Sequence, residues 1–124
     1  MNPFVVNNQV WQVETVEPGD PTLVDRTGVE RLATTDPTTR TVRISSAVEP
    51  PLLDRVALHE AAHVMSIAYG TLIPLREILP ERLWVPVEEW AAREVEANGI
   101  EAAELASRML GRPVCVNGWC HGQH

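Results

Sequence analysis

The chain has 124 residues, a formal net charge of −7 and 44% apolar residues, which suits a single globular domain. An acidic domain repels phosphate backbones, so we expect no nucleic-acid partner. No stretch is apolar for long enough to cross a bilayer, and the N-terminus lacks the basic and apolar regions of a signal peptide. We therefore expect no membrane partner and a cytoplasmic location.

The first half of the chain predicts a small β-sheet. Residues 8–17 are rich in Val, and "RTVRIS" at 40–45 alternates polar and apolar residues as a half-buried strand does. Residues 28–34 precede this segment across the turn "DPTT" at 36–39. The pattern predicts about three strands within residues 8–46, the last two paired as a hairpin.

Two helices are predicted in the second half. One runs over 51–69, after the helix-starting "EPP", and ends at Gly70. It is apolar on nearly every face, which is typical of a helix buried on several sides. A proline-rich connector over 71–86 leads to a second helix over 87–110, which is rich in Ala and can pack closely.

The segment "LHEAAHVMSIAYG" in the first helix contains an H-E-x-x-H motif. His59 and His63 lie one turn apart, so their imidazoles can bind one ion. Glu60 is rotated by about 100° from His59 and can reach a water beside that ion as a general base. They could instead be ordinary helix residues. However, three ionisable groups in so apolar a helix cost several kcal/mol unless they are paired, which favours a divalent cation.

A catalytic zinc site needs a third protein ligand. Glu94 and Asn98, in "EVEAN" on the second helix, are four residues apart and share a face. We expect Glu94 to be the third ligand and Asn98 to orient a ligating histidine through its other ring nitrogen. Glu96 and Glu89 are the main rivals of Glu94.

These motifs resemble those of the gluzincin clan of zinc metallopeptidases, whose second motif is E-x-x-x-D. Within that clan, Glu94 to Asn98 resembles the E-x-x-A-N/D motif of the ImmA/IrrE family, and the small size resembles minimal phage-encoded members. The resemblance covers roughly residues 28–110. It implies an α+β, zincin-like domain that spans 1–124. The family's next run differs here, where "GIEAAELASRML" carries Gly99.

The resemblance also implies a zinc-dependent endopeptidase that holds one zinc ion per chain and takes a peptide or protein substrate. His59, His63 and Glu94 would bind the ion, and Glu60 would act on the water. A strand such as 40–45 could align an extended peptide by β-addition. Tyr69 and the C-terminal histidines are candidates for an additional oxyanion donor.

The C-terminal segment 113–124 predicts a hairpin around an Asn-Gly turn. Cys115 and Cys120 would then face each other at a spacing that a disulfide accepts. The same cysteines with His121 and His124 could instead form a second metal site, or the thiols could stay reduced on a surface hairpin.

The leading prediction for function is therefore a zinc metallopeptidase. One alternative is a virion-associated structural or assembly protein that retains a zincin fold and its metal site, with other virion proteins as partners in the host cytoplasm or the particle. Another is a toxin- or immunity-type domain that binds a protein through its acidic surface. An intact Glu60 favours the enzyme, because a purely structural zinc ion needs no base.

Overall fold

A computed structural model describes residues 2–25, 27–116 and 119–121 of an α+β protein. The two predicted helices are confirmed, and a further short helix lies between them. The elements are the strands β1 (Asn2–Val6), β2 (Gln9–Val16), β3 (Ala33–Asp36), β4 (Thr41–Ser45), β5 (Val114–Val116) and β6 (Trp119–His121), the helices α1 (Leu52–Tyr69), α2 (Ile73–Ile78) and α3 (Trp84–Leu110), and 3-10 turns at Pro21–Leu23 and Glu81–Leu83.

The main sheet of the described chain has the strand order β1-β2-β4-β3. Strands β3 and β4 form the predicted antiparallel hairpin, with Ala33 opposite Ile44. Strand β4 also pairs in parallel with β2, so it is an interior strand. The expectation that 40–45 aligns a peptide is therefore wrong, because its hydrogen-bonding groups are used on both sides. The edge strands of this sheet are β1 and β3.

Strand β1 is an element that the sequence analysis did not predict, and it raises the strand number of the sheet to four. It pairs with β2 through a two-residue turn formed by Asn7 and Asn8, whose φ angles are 48° and 60°. Two successive positive φ angles match the right-handed twist of a tight hairpin, and Asn tolerates them better than most residues. The Asn-Asn pair between apolar residues is the local signal for this hairpin.

The predicted helix boundaries are largely confirmed. Helix α1 ends at Gly70, which has a left-handed φ of 61° and donates its N–H to the carbonyls of Ile67 and Ser66. Helix α3 starts at Trp84, earlier than predicted, because Pro86 lies in the first turn, where its missing N–H costs no hydrogen bond. Within the described residues, no helix is both long and apolar enough to cross a membrane.

Helix α1 lies across the sheet and presents one stripe of side chains to it. Near the middle, Val64 packs with Trp11 and Val42 in the buried core. At the far end, the carbonyl of Ala68 accepts a 2.8 Å hydrogen bond from the side chain of Asn7. Residues four apart on a helix share a face, so the stripe that carries Val64 and Ala68 also carries Glu60. Burial of this stripe sets the direction in which α1 presents its histidines.

Helix α3 packs against the neighbouring face of α1. Among the described residues of α3, the buried one is Ala92, which is 1% exposed. Ala97, in contrast, is exposed.

The C-terminal hairpin, formed by β5 and β6, has Cys115 opposite Cys120 in its backbone register. The side chains of Cys115, Cys120 and His121, and the whole of His124, lie outside the described residues. The disulfide and the second metal site therefore stay predictions.

The position of the core predicts that substitutions at two neighbouring residues of β2 differ clearly in their effect on stability. Trp11→Ala should lower the free energy of unfolding by about 3–5 kcal/mol, because it empties a fully buried site. Val10→Ala, at a position that is 57% exposed, should change it by no more than about 0.5 kcal/mol. Urea unfolding of both variants measures this. Equal effects would contradict the placement of the core on this face.

Candidate metal centre

Two histidines of α1 and one glutamate of α3 form a compact cluster between the two helices. Glu89 contacts both rings: its Oε2 lies 3.1 Å from Nε2 of His59 and its Oε1 lies 3.1 Å from Nε2 of His63. The imidazole side chains are 18% and 15% exposed, and their ring centroids are 5.1 Å apart. Both Nε2 atoms therefore point to one carboxylate.

The cluster has the residue types of a zinc site and brings its ligand atoms close together. Three ligand atoms lie within 4.8 Å of one another, one from each of His59, His63 and Glu89. Tetrahedral zinc with bonds of 2.0–2.2 Å separates its ligand atoms by about 3.3 Å, close to the 3.1 Å contacts here. Two imidazoles and one carboxylate also form a known catalytic zinc set.

Glu60 lies on the stripe of α1 that faces the sheet, where it is 7% exposed. Its Oε2 accepts a 2.5 Å hydrogen bond from the hydroxyl of Thr35 on the edge strand β3. A buried carboxylate needs such a donor to offset the loss of water. Glu60 is therefore held apart from the histidine cluster, but it lines the same cleft.

A second glutamate of α3 contacts the other side of the first histidine. Oε1 of Glu96 lies 3.1 Å from Nδ1 of His59. The other oxygen of Glu96 accepts a 2.9 Å hydrogen bond from the guanidinium of Arg55. His59 is thus held between two carboxylates, with Glu89 at Nε2 and Glu96 at Nδ1.

The structure does not bring Glu94, the third ligand favoured by the sequence, to the histidines. Glu94 is exposed and accepts a 3.3 Å hydrogen bond from the amide of Asn98, which is also exposed. Glu94 follows Glu89 by five residues, which turns it by about 140° around the helix axis. The same rotation takes Asn98 away from the orienting role expected for it. Tyr69, at the end of α1, is 43% exposed and lies outside the described lining of the cleft.

The sequence predicts Glu89 and Glu96 only as rivals of Glu94 and does not single out Thr35 or Arg55. The spacing of Glu89 and Glu96 does carry a signal. Together with Ala92 they follow the i, i+3, i+7 pattern of one helix face. No local pattern marks Thr35, because its contact with Glu60 joins residues 25 apart in the chain.

An open cleft of about 910 Å³ runs beside the cluster, between β3 and the helices. Its walls include backbone from the edge strand. The backbone N–H of Ser45 donates to the carbonyl of Leu32. In an antiparallel pair, hydrogen-bonded and non-hydrogen-bonded positions alternate, so the main-chain groups of Ala33 and Thr35 point away from β4. Apolar side chains line the cleft on both sides of the histidines: Leu52 and Val56 on one side, and Ile67, Leu72 and Ile73 on the other.

The loop before β3 also borders the cleft and is organised around Asp25. Its carboxylate accepts hydrogen bonds from the hydroxyl of Thr27 at 2.6 Å, from the guanidinium of Arg31 at 2.6 Å and from the amide of Val29 at 3.1 Å. These donors, Thr27 foremost, hold the pKa of Asp25 well below its usual range. The hydrogen bond between Arg31 and Asp25 raises the pKa of the Arg31 guanidinium.

No protein-family model matches this chain, and no curated protein or solved structure shows significant similarity to it. The resemblance to the gluzincin clan and to the ImmA/IrrE family therefore depends on the residues of the motifs alone.

The Asp25 loop predicts a pH dependence of stability. Because the folded-state pKa of Asp25 lies below its unfolded value of about 3.9, the charged carboxylate stabilises the fold above that pH, and this stabilisation is lost as the pH falls further. Asp25→Asn should therefore lower stability at pH 7, and its difference from wild type should shrink below about pH 4. Urea unfolding across this range measures it.

A matched variant isolates the main cause of the low pKa. Thr27→Val removes the hydroxyl donor and should raise the pKa of Asp25, as read from a carboxyl carbon NMR titration. An unchanged pKa would contradict the assigned hydrogen bond.

Proposed function

We propose that this protein is a zinc-dependent peptidase with a zincin-like arrangement of its two main helices. One observation carries the proposal: ligand atoms of His59, His63 and Glu89 converge within 4.8 Å, in a cleft that also holds the buried carboxylate of Glu60. Bound there, zinc would lower the pKa of a water molecule and polarise the scissile carbonyl.

The residues of the chain divide the chemistry between them. The two histidines and Glu89 hold the metal. Glu60 takes a proton from water as the water oxygen adds to the peptide carbonyl, and it returns a proton to the leaving amine as the C–N bond breaks. The hydroxyl of Thr35 orients Glu60 by its 2.5 Å hydrogen bond.

The number of ligands favours catalysis over a structural role. Structural zinc sites are normally closed by four protein ligands, whereas catalytic sites use three and keep one position for water. Among the described residues, the cluster supplies three ligand atoms. A structural or assembly protein would also have no use for a buried carboxylate that lines the same cleft.

The shape of the cleft supports an extended peptide as substrate. The edge strand β3 offers the outward main-chain groups of Ala33 and Thr35, to which a peptide can add as a further strand. Thr35 also holds Glu60, so a peptide on this edge passes beside the base. Apolar residues such as Val56 and Ile67 line the cleft on either side and favour apolar substrate side chains.

The metal site predicts a contrast between two glutamates of α3. Wild-type protein should bind one zinc ion per chain. Glu89→Gln should weaken zinc binding by more than the roughly 10–100-fold typical of losing an outer hydrogen bond, because it removes a ligand. Glu94→Gln, the matched control on the exposed face, should leave binding unchanged. Elemental analysis and chelator competition measure both. The reverse result would support the third ligand expected from the sequence instead.

The assignment of the base predicts a variant that keeps its metal and loses its activity. Glu60→Gln should retain zinc, while cleavage of an internally quenched peptide library falls by about 10²–10⁴-fold. Far-ultraviolet circular dichroism checks that the variant is folded. A zinc-loaded wild type without activity on any peptide, or a fully active Glu60→Gln variant, would contradict the proposed function.

A further inference from the structure

We propose that Glu96, anchored by Arg55, is the positioning residue of the metal centre. It accepts the Nδ1 proton of His59 and thereby leaves the Nε2 lone pair of that ring free for the metal. This inference rests on the proposed function and adds to it the residue that prepares the first histidine.

Three contacts form a chain from the surface to the centre. The guanidinium of Arg55 donates to Oε2 of Glu96 at 2.9 Å, and Oε1 of Glu96 lies 3.1 Å from Nδ1 of His59. On the opposite side of the ring, Nε2 of His59 lies 3.1 Å from Oε2 of Glu89. A metal ion between Nε2 and Glu89 would take the Nε2 lone pair, and the one N–H of the neutral imidazole would then lie at Nδ1, where the carboxylate of Glu96 accepts it.

Burial gives the Glu96 contact its strength. The side chains of Glu96 and His59 are 20% and 18% exposed, so neither is fully hydrated. A carboxylate in such surroundings holds its donors more tightly than one in open water. Arg55 is 65% exposed, and it pairs with Glu96 from one turn before His59 on α1. Two residues of α1, one turn apart, thus hold the carboxylate of Glu96 on α3.

The chemistry of the side chain also distinguishes Glu96 from Asn98, the orienting residue expected from the family motif. An ionised carboxylate only accepts hydrogen bonds, so the ring nitrogen that faces Glu96 must carry a proton. An amide can turn and present either a donor or an acceptor. Asn98 is moreover exposed and bonded to Glu94.

The test compares zinc affinity, by chelator competition, in wild type, Glu96→Ala, Glu96→Gln and the control Glu94→Gln. Loss of an outer-shell carboxylate typically weakens metal binding by about 10–100-fold, and we expect this for Glu96→Ala. The zinc affinity of Glu96→Gln should lie between those of wild type and Glu96→Ala, because its amide oxygen can still accept from Nδ1. Glu94→Gln should match wild type.

A spectroscopic readout separates positioning from a general loss of stability. In the zinc-loaded wild type, Nδ1 of His59 should carry a proton protected from exchange, visible by nitrogen-15-edited NMR. In Glu96→Ala, that proton should exchange with water and its signal should broaden. Zinc affinity and the Nδ1 signal both unchanged in Glu96→Ala would overturn the inference.

The outcomes also separate this inference from the proposed function. Failure of the wild type to bind zinc would overturn both, whereas zinc binding that ignores Glu96 would overturn only the positioning role. If Glu96→Ala does not fold, Arg55→Met decides the matter, because it changes an exposed residue and frees Glu96. A measurable loss of affinity in Arg55→Met supports the chain of contacts, and wild-type affinity overturns it.

Discussion

Burial of Val64 against Trp11 and Val42 sets the rotation of α1 about its own axis, and the arrangement of the polar groups follows from it. Val64 is 2% exposed and Trp11 is fully buried, so turning the helix would cost the packing of the core. With this stripe against the sheet, Glu60 meets the edge strand β3. The neighbouring face then presents His59 and His63 to α3. One hydrophobic contact thus directs both Glu60 and the two histidines.

The polar groups of the centre depend on one another because they are partly removed from water. Glu60, Glu89 and Glu96 bring three carboxylates into one region of a chain whose net charge is already −7. Thr35 and Arg55 offset part of the desolvation, and the imidazoles offset more. A divalent cation between the histidines and Glu89 would supply the strongest compensation, since its charge opposes those of the carboxylates directly.

The parts of the fold predicted correctly are those encoded by neighbouring residues. Helix α1 and its end at Gly70 follow from the apolar pattern and from a residue that accepts a positive φ. The β3–β4 hairpin follows from two short segments joined by a turn. The parallel pairing of β2 with β4 joins Gln12 to Thr41, and no local pattern encodes it. That pairing makes β4 an interior strand and leaves β3 at one edge of the sheet.

The same division holds for the site. The sequence by itself determined the trio His59, Glu60 and His63, because the period of a helix converts their spacing directly into a shared face and a neighbouring one. It also placed the candidates for an acidic third ligand on α3. Only the tertiary structure decided between the glutamates of that helix, because the choice depends on how α3 is rotated against α1. The face of α3 that carries the buried Ala92 also carries Glu89 and Glu96, which contact His59, while Glu94 is turned to solvent.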